Sequence, residues 1–451
     1  MPDSTQGTIG LRPPRDGRGV VRGAVRVPGS KSIAQRAVVL ASLCPGRTRL
    51  AGLPDGDDVV AALALVAAAG ARVEKLAPAA CAIDGRPPGP HRGWRADPAL
   101  VAGESGTLAR LATAAFAFCG DAGRPGTIDV RGTLAQRSSA ALFDALRRAG
   151  VRTEPADASR WPARLTPIGP PHEVLLVDPA SSQEVSALLV ALAAWPGEAT
   201  LVVRGAIPSR PYLELTRSAL EAFGARIEEL PREGGAEFRV TGPLRAPEAP
   251  IAVEPDASAA AVALAAGCLS GGEVAIAGLT RRSRQGDARI VEHLAAFGCE
   301  ARADDDALRA RGVPARAADL DLAGEPDLAP VLAAVAARAA LESGGTSRLS
   351  GLGTLPGKES SRIEVLAAGL SAAGFSALAT RDALAIGPGR PRPPAGPLAS
   401  HGDHRMAFAF ALLGLSVEGV QVAEPGCVAK SWPGFWRDLE RAGASIAREP
   451  A

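Results

Sequence analysis

Six stretches of this 451-residue chain resemble one another: LALVAAAGARVE, FDALRRAGVRTE, RSALEAFGARIEE, VEHLAAFGCEAR, LAAGLSAAGFSAL and DLERAGASIA. Each reads as a helix closed by glycine and continued by a short strand. The glycines, Gly70, Gly150, Gly224, Gly298, Gly374 and Gly443, recur every 69–80 residues. A period of this kind constrains the fold strongly, because six like segments must pack as equivalent supersecondary units. In the fourth copy Ile290, Leu294 and Phe297 follow the i, i+4, i+7 spacing of one helix face, and a glycine just past the last turn suits a left-handed C-cap.

Upstream of each copy lies a second, small-residue helix: KSIAQRAVVLASL, SGTLARLATAAFAF, VSALLVALAAW, ASAAAVALAAGCL, LAPVLAAVAARAAL and HRMAFAFALLGL. A glycine turn and a strand follow, as in GGEVAIAGL. One unit therefore reads helix, strand, helix, strand, and six of them make an α/β protein with internal pseudo-symmetry. No GxGxxG follows a strand, so a plain dinucleotide-binding chain is excluded.

Composition sets the outer bounds. With 47% hydrophobic and 22% charged residues the chain is globular. A net charge of +2 gives no general pull towards nucleic acid or an anionic membrane, so any anion site has to come from local placement. The six cysteines are scattered, with no CxxC pair and no clustering with histidine. That pattern predicts a reduced, cytoplasmic protein without structural zinc. Apolar runs such as VVAALALVAAAGA are too short to span a bilayer.

Chemistry-bearing residues gather where helices begin: PGSKS (28–32), ESGTLAR (104–110), ASSQE (180–184), PSRPY (208–212), PDAS (255–258), RQGD (284–287), GEPD (324–327), GKESSR (357–362), GDHRM (402–406) and CVAKSWP (427–433). Backbone NH groups at a helix start are unsatisfied and favour anions. A Ser, Thr, Asp or Gly there is by itself no more than a cap, so the rare residues carry the weight. Only four of the 50 Lys plus Arg residues are lysine, and Lys31, Lys358 and Lys430 fall in these turns, while Lys75 reads as a surface residue. The single tyrosine, Tyr212, lies in PSRPY, and His401 and His404 flank one helix start. His91, His172 and His293 read as ordinary surface or helix-face residues. A lysine can exchange its proton near neutrality once its pKa is lowered, which arginine cannot. Three lysines beside Arg36, Arg110, Arg137, Arg362 and Arg405 suit two anionic substrates brought together.

In their order and approximate spacing, PGSKS with Arg36, SSQ, S-x-PY, DAS, QGD, PD, KE-x-x-R, GDHRM and C-x-AK resemble the EPSP synthase (3-phosphoshikimate 1-carboxyvinyltransferase) family from about Val25 to the C-terminus. The resemblance implies an inside-out α/β barrel in two lobes of three repeats. One lobe would comprise 1–29 and 253–451, the other 30–252, with the active site in the cleft between them and closure on substrate binding. It further implies transfer of the enolpyruvyl group of phosphoenolpyruvate to the 5-hydroxyl of shikimate 3-phosphate, in the shikimate pathway. No metal or organic cofactor, no nucleic acid and no membrane would be involved, and the chain would be a monomer.

By that resemblance Lys31, Ser32, Arg36, Ser181, Ser182, Ser209, Tyr212, Asp327 and Lys358 would hold shikimate 3-phosphate. Lys31, Gly106, Gln183, Arg362, Arg405 and Lys430 would hold phosphoenolpyruvate. Lys31, Asp327 and Glu359 are the expected proton-transfer groups, with His404 a positioning residue.

Several positions depart from the family pattern. Glu104 stands where the family usually has asparagine, Thr133 replaces the first of two arginines four apart, and Ser138 replaces a following proline. Arg137 matches the second arginine, and Arg131 is a candidate substitute for the first. Thr354 replaces an asparagine, and KESSR lacks the aspartate usual before the arginine. Losing one charge-assisted bond costs about 1.5–3 kcal/mol, so the expectation is weak binding of phosphoenolpyruvate and weak inhibition by glyphosate, which occupies that site in the family. Two other readings stay open: an enolpyruvyl transferase acting on another phosphorylated cyclic alcohol, and a ligand-binding paralogue without turnover.

Overall fold

The computed structural model describes residues 7–89 and 91–449. In it the six repeat glycines all have positive φ, from 80° at Gly224 to 110° at Gly443. After each one, the next amide donates to a carbonyl five residues back, as from Ala71 to Val66 at 3.0 Å and from Ala444 to Leu439 at 2.9 Å. This Schellman closure satisfies carbonyls at the helix end, and glycine enters the left-handed region without steric cost.

The helices so closed are α2 (Asp57–Ala68), α4 (Ala140–Arg148), α6 (Pro211–Ala222), α8 (Ile290–Ala296), α10 (Arg362–Ala372) and α12 (Phe435–Arg441). Between them run the small-residue helices α1 (Lys31–Leu43), α3 (Gly106–Cys119), α5 (Ser182–Ala193), α7 (Ala257–Leu269), α9 (Ala329–Ser343) and α11 (His404–Leu413). The two sets pack differently because their sequences do. The first set is amphipathic: α8 buries Ile290, Val291, His293 and Leu294. The second is apolar on all sides, and α7 is buried at every position except Ser258. An all-round apolar helix belongs in the centre of a core.

Each repeat contributes a four-stranded sheet, which is one hairpin strand and one edge strand more than the sequence reading. In the first repeat the order is 251–252, 47–51, 80–84, 72–77, with the first pair parallel and the other two antiparallel. The other five sheets share this pattern. Edge strands such as Leu100–Val101 are two residues long, too short to leave any alternation in sequence. In the sixth sheet the third place is filled by Thr8–Leu11, which pairs antiparallel with both Val422–Ala423 and Ile446–Glu449.

The chain divides into two compact units: Gly29–Glu254, and the residues up to Pro28 together with those from Pro255 onward. Each unit holds three of the sheets and its own hydrophobic core. The discontinuity follows from strand pairing, since Thr8–Leu11 and Gly23–Ala24 pair within the second of these units while Ile251–Ala252 closes the first sheet of the other.

Candidate active site

In the unit spanning Gly29–Glu254, the starts of α1, α2 and α3 are tied together. Lys31 opens α1, and its Nζ lies 3.1 Å from Oδ2 of Asp58, a buried carboxylate in the first turn of α2. Gln35 donates to the backbone oxygen of Asp58 at 3.2 Å and to Ser105 Oγ at 2.7 Å. Ser105 in turn caps α3, accepting from the Leu108 amide. Lys31 is thus held at the start of α1 with Asp58 as a carboxylate partner.

Arg36 and Arg110 are the two buried arginines of this unit, and among the described residues neither forms a salt bridge. Arg36 donates through Nε to Thr216 Oγ1 at 2.8 Å, through Nη1 to the Ser32 carbonyl at 2.8 Å and through Nη2 to the Tyr212 carbonyl at 3.3 Å. Burial pulls its pKa down to about 10, against an opposing influence of Tyr212. Arg110 donates to the Gly106 carbonyl at 3.0 Å, to Gln183 Oε1 at 3.1 Å and to the Ser138 carbonyl at 3.4 Å. Its Nε is buried without a hydrogen-bond partner among the described residues, and burial lowers its pKa despite Glu184 nearby. A guanidinium desolvated without a counter-charge is costly, and an arriving anion would offset that cost.

The remaining expected residues of this unit sit around these arginines. Ser181 caps α5 by accepting from the Gln183 amide at 3.2 Å, and Ser182 is buried beside it. Ser209 has a φ of 51°, and its carbonyl accepts from the Tyr212 amide at 3.1 Å, closing the turn into α6. Gly106 is needed for close approach: a Cβ there would lie 2.9 Å from Arg110 Nη1. Of the departures from the family pattern, Glu104 is exposed and lies against Gly132. The Arg131 amide donates to the Gly103 carbonyl at 2.7 Å, and Arg137 Nη2 donates to Thr133 Oγ1 at 3.2 Å. The hydroxyl of Thr133 is therefore already engaged by the arginine that follows it.

The other unit carries a network of four cations and four carboxylates. Arg362, at the start of α10, is almost fully buried. It donates through Nη1 to Asp327 Oδ1 at 2.8 Å, through Nη2 to Glu359 Oε2 at 2.6 Å, and through Nε to Asp403 Oδ2 at 2.8 Å. Arg405 Nη2 lies 3.1 Å from Asp327 Oδ2 and 3.2 Å from Ser258 Oγ, while its Nη1 donates to the Asp327 carbonyl at 3.1 Å. Lys358 is 3.5 Å from Asp327, and Lys430 is 3.2 Å from Glu359. Ser258 donates to the fourth carboxylate, Asp287.

Electrostatics separates the aspartates. Burial opposes charge on Asp327, but Arg405, Lys358 and Arg362 outweigh it and hold its carboxyl well below the usual carboxylate range. Asp287 is pushed up to about 6, chiefly by burial, with Arg405 opposing and Asp327 adding to the rise. Burial also opposes charge on Arg362, yet Asp403, Glu359 and Asp327 raise its pKa. His404 is buried, with Nδ1 3.9 Å from Asp403 Oδ1 and its ring edge-on to Phe408 at 5.9 Å. Thr354 presents a buried hydroxyl with no partner among the described residues.

Sequence reading left out Asp58, Gln35, Thr216, Asp287 and Asp403 as individual residues. Asp287 and Asp403 lie inside motifs that were singled out, so their helix-start position was the available signal. Asp58 had a weaker one, an acidic pair at the head of α2. His293, read as an ordinary surface or helix-face residue, is buried against Glu325.

Over residues 16–439 the sequence matches the EPSP synthase (3-phosphoshikimate 1-carboxyvinyltransferase) family. The chain belongs to the EPSP synthase family. It is 35% identical over 431 residues to the 3-phosphoshikimate 1-carboxyvinyltransferase of Ralstonia nicotianae, covering 92% of this chain and 95% of the relative. To that of Laribacter hongkongensis it is 34% identical, covering 92% and 96%. Among solved structures, EPSP synthase from Acinetobacter baumannii superposes with a TM-score of 0.77 at 24% identity, covering 98% of this chain and all of the other. The enolpyruvyl transferase NikO from Streptomyces tendae superposes at 0.72 and 19% identity, covering 99% of each. At these identities the structural matches speak for the fold, the inside-out α/β barrel of EPSP synthases, which the family resemblance implied and with which the six repeats agree.

Proposed function

We propose that this EPSP synthase family member transfers the enolpyruvyl group of phosphoenolpyruvate to the 5-hydroxyl of shikimate 3-phosphate and releases phosphate. The observation that carries the reading is the match to the EPSP synthase family over residues 16–439, and to it we assign Lys31, Asp327, Lys358, Glu359, Arg362, His404, Arg405 and Lys430. In the addition step the methylene carbon of phosphoenolpyruvate gains a proton, and the 5-hydroxyl oxygen bonds to the central carbon while losing its own. In the elimination step the methyl group gives a proton back and the C–O bond to phosphate breaks.

Such chemistry needs positioned proton carriers and preorganised positive charge for the leaving phosphate. Lys31, Glu359 and Asp327 are the carriers we assign, and His404 is the positioning residue. Shikimate 3-phosphate would be held by Lys31, Ser32, Arg36, Ser181, Ser182, Ser209, Tyr212, Asp327 and Lys358. Phosphoenolpyruvate would be held by Lys31, Gly106, Gln183, Arg362, Arg405 and Lys430. The uncompensated charge of buried Arg36 supports a phosphate nearby.

The test is phosphate release from phosphoenolpyruvate by purified protein, with and without shikimate 3-phosphate. Release that depends on shikimate 3-phosphate is expected, and absence of release would overturn the assignment. Glu104 favours a second reading, an enolpyruvyl transferase for another phosphorylated cyclic alcohol, because its exposed carboxylate can accept a hydrogen bond from an acceptor hydroxyl. Glu104→Asn separates the two. Under the main reading it tightens phosphoenolpyruvate binding and sensitises the enzyme to glyphosate, because it removes a carboxylate near two anionic substrates. Under the second it leaves activity with shikimate 3-phosphate absent.

A further inference from the structure

Two residues before Asp327, Glu325 is fully buried. Its Oε1 accepts from both His293 Nε2, at 2.8 Å, and Arg289 Nη1, at 2.9 Å, while Oε2 is buried with no hydrogen-bond partner among the described residues. His293 lies on the buried face of α8, and Arg289, at the head of that helix, is half-exposed and also bonds Glu292 at 2.9 Å. A buried carboxylate with one unpartnered oxygen is expensive where an apolar side chain would fill the space. Packing alone therefore does not account for it.

What Glu325 does have is a place in the turn that delivers Asp327. Its amide donates to the Leu322 carbonyl at 3.1 Å, and its own carbonyl accepts from the Leu328 amide at 3.0 Å, closing the short 3-10 segment Pro326–Leu328. Asp327 leaves that segment to meet Arg362, Arg405 and Lys358. Pro326 restricts the backbone on one side, and the carboxylate of Glu325, gripped from α8, restrains it on the other. Directional bonds fix a turn more sharply than apolar contact does, because they fail once the geometry slips.

We infer that His293 and Glu325, with Arg289, form a positioning pair that anchors the Asp327 turn to α8. His293 acts through Glu325 and touches no reacting atom, so both are positioning residues. The consequence for turnover rests on the function proposed for Asp327, but the mechanical part of the inference does not.

The test measures both parts on four variants, His293→Leu, His293→Gln, Glu325→Leu and Glu325→Gln. Amide hydrogen exchange at Leu328 is followed with α3 amides as the internal reference, and kcat and the KM values are measured with phosphoenolpyruvate and shikimate 3-phosphate. The leucine variants should speed Leu328 exchange at least tenfold while α3 stays unchanged. They should lower kcat about tenfold or more with little change in KM for phosphoenolpyruvate. Glutamine at either position keeps a hydrogen-bonding end and should restore most of both. Unchanged exchange at Leu328 in a folded leucine variant overturns the inference, as does a fall in melting temperature with kcat intact. Should the leucine variants fail to fold, the glutamine variants decide by the same exchange readout, with a measurable rise at Leu328 expected and none overturning the inference. Parent protein that releases no phosphate would count against the proposed function, while Leu328 exchange would still decide the anchoring role.

Discussion

Lysine at position 31 differs from an arginine in two ways that matter here: its charge is compact, and its proton can be given up. Its ammonium pairs with the buried carboxylate of Asp58, and in the role proposed for it a substrate oxygen competes for that positioned proton. Replacing Lys31 with Met should lower turnover at least about a hundredfold, the usual scale for a placed proton-transfer group. Steady-state kcat with both substrates checks this, and an active variant would remove Lys31 from the chemistry.

Asp287 and Asp327 make opposite predictions for stability. The pKa of Asp287 is raised in the folded protein to about 6 from 3.8, so the folded state holds its proton more tightly than the unfolded chain. That contribution is fully present below the unfolded pKa and is lost as pH rises through about 6. Asp287→Asn should therefore be more stable than the parent by up to about 3 kcal/mol at pH 8, and by little at pH 4. Denaturant midpoints at the two pH values measure it, and an equal effect at both would show that burial does not govern this carboxyl. Asp327, whose pKa is depressed, contributes stability above its unfolded value and loses it only in strong acid. It leaves the pH 4–8 window to Asp287.

At the scale of elements, helix starts carry the residues we assign to the chemistry, and glycines set where chain segments touch. Gly132 opens the short 3-10 turn beside the start of α3 with a φ of 57°, and a Cβ there would meet Glu104 Oε1 at 2.3 Å. Gly123 also has a positive φ, 74°, but nothing within 4 Å of a Cβ. Gly123→Ala should then show the cost of the left-handed backbone alone, about 1–2 kcal/mol. Gly132→Ala should exceed it, because Glu104 must also move. Equal destabilisation of the two variants, read from unfolding midpoints, would mean that Glu104 swings away freely.

For the whole molecule, the balance of charge sets what substrate binding must do. In the discontinuous unit Arg362, Arg405, Lys358 and Lys430 pair with Asp327, Glu359 and Asp403. In the role proposed for Arg405, phosphoenolpyruvate draws it away from Asp327, and Asp287 then loses the cation that holds its pKa down. Binding of phosphoenolpyruvate near pH 6.5 should accordingly take up a fraction of a proton. Calorimetric enthalpies in buffers of different ionisation heat would reveal it, and Asp287→Asn should abolish the difference. Enthalpies independent of buffer in the parent would contradict this coupling.

Much of this protein could be read in one dimension. The repeat glycines, the two kinds of helix and the ordered motifs at helix starts are local features. Each depends on residues within a turn or two, and the Schellman closures at all six glycines follow from that local chemistry. Charge-bearing residues that stand in motifs, such as Arg36, Asp327 and Arg362, were legible for the same reason. Tertiary structure alone decided which partners those charges meet. Nothing near Lys31 in sequence names Asp58, 27 positions on in the chain. Arg36 is left without a carboxylate because α6 offers it only the Thr216 hydroxyl and the Tyr212 carbonyl. The return strands, the two-residue edges and the N-terminal strand that completes the sixth sheet come from long-range pairing, which leaves no periodicity behind. His293 and Glu325 make the same point within the core, since a hydrogen bond across 32 residues has no sequence signature and exists only once α8 packs against the turn before α9.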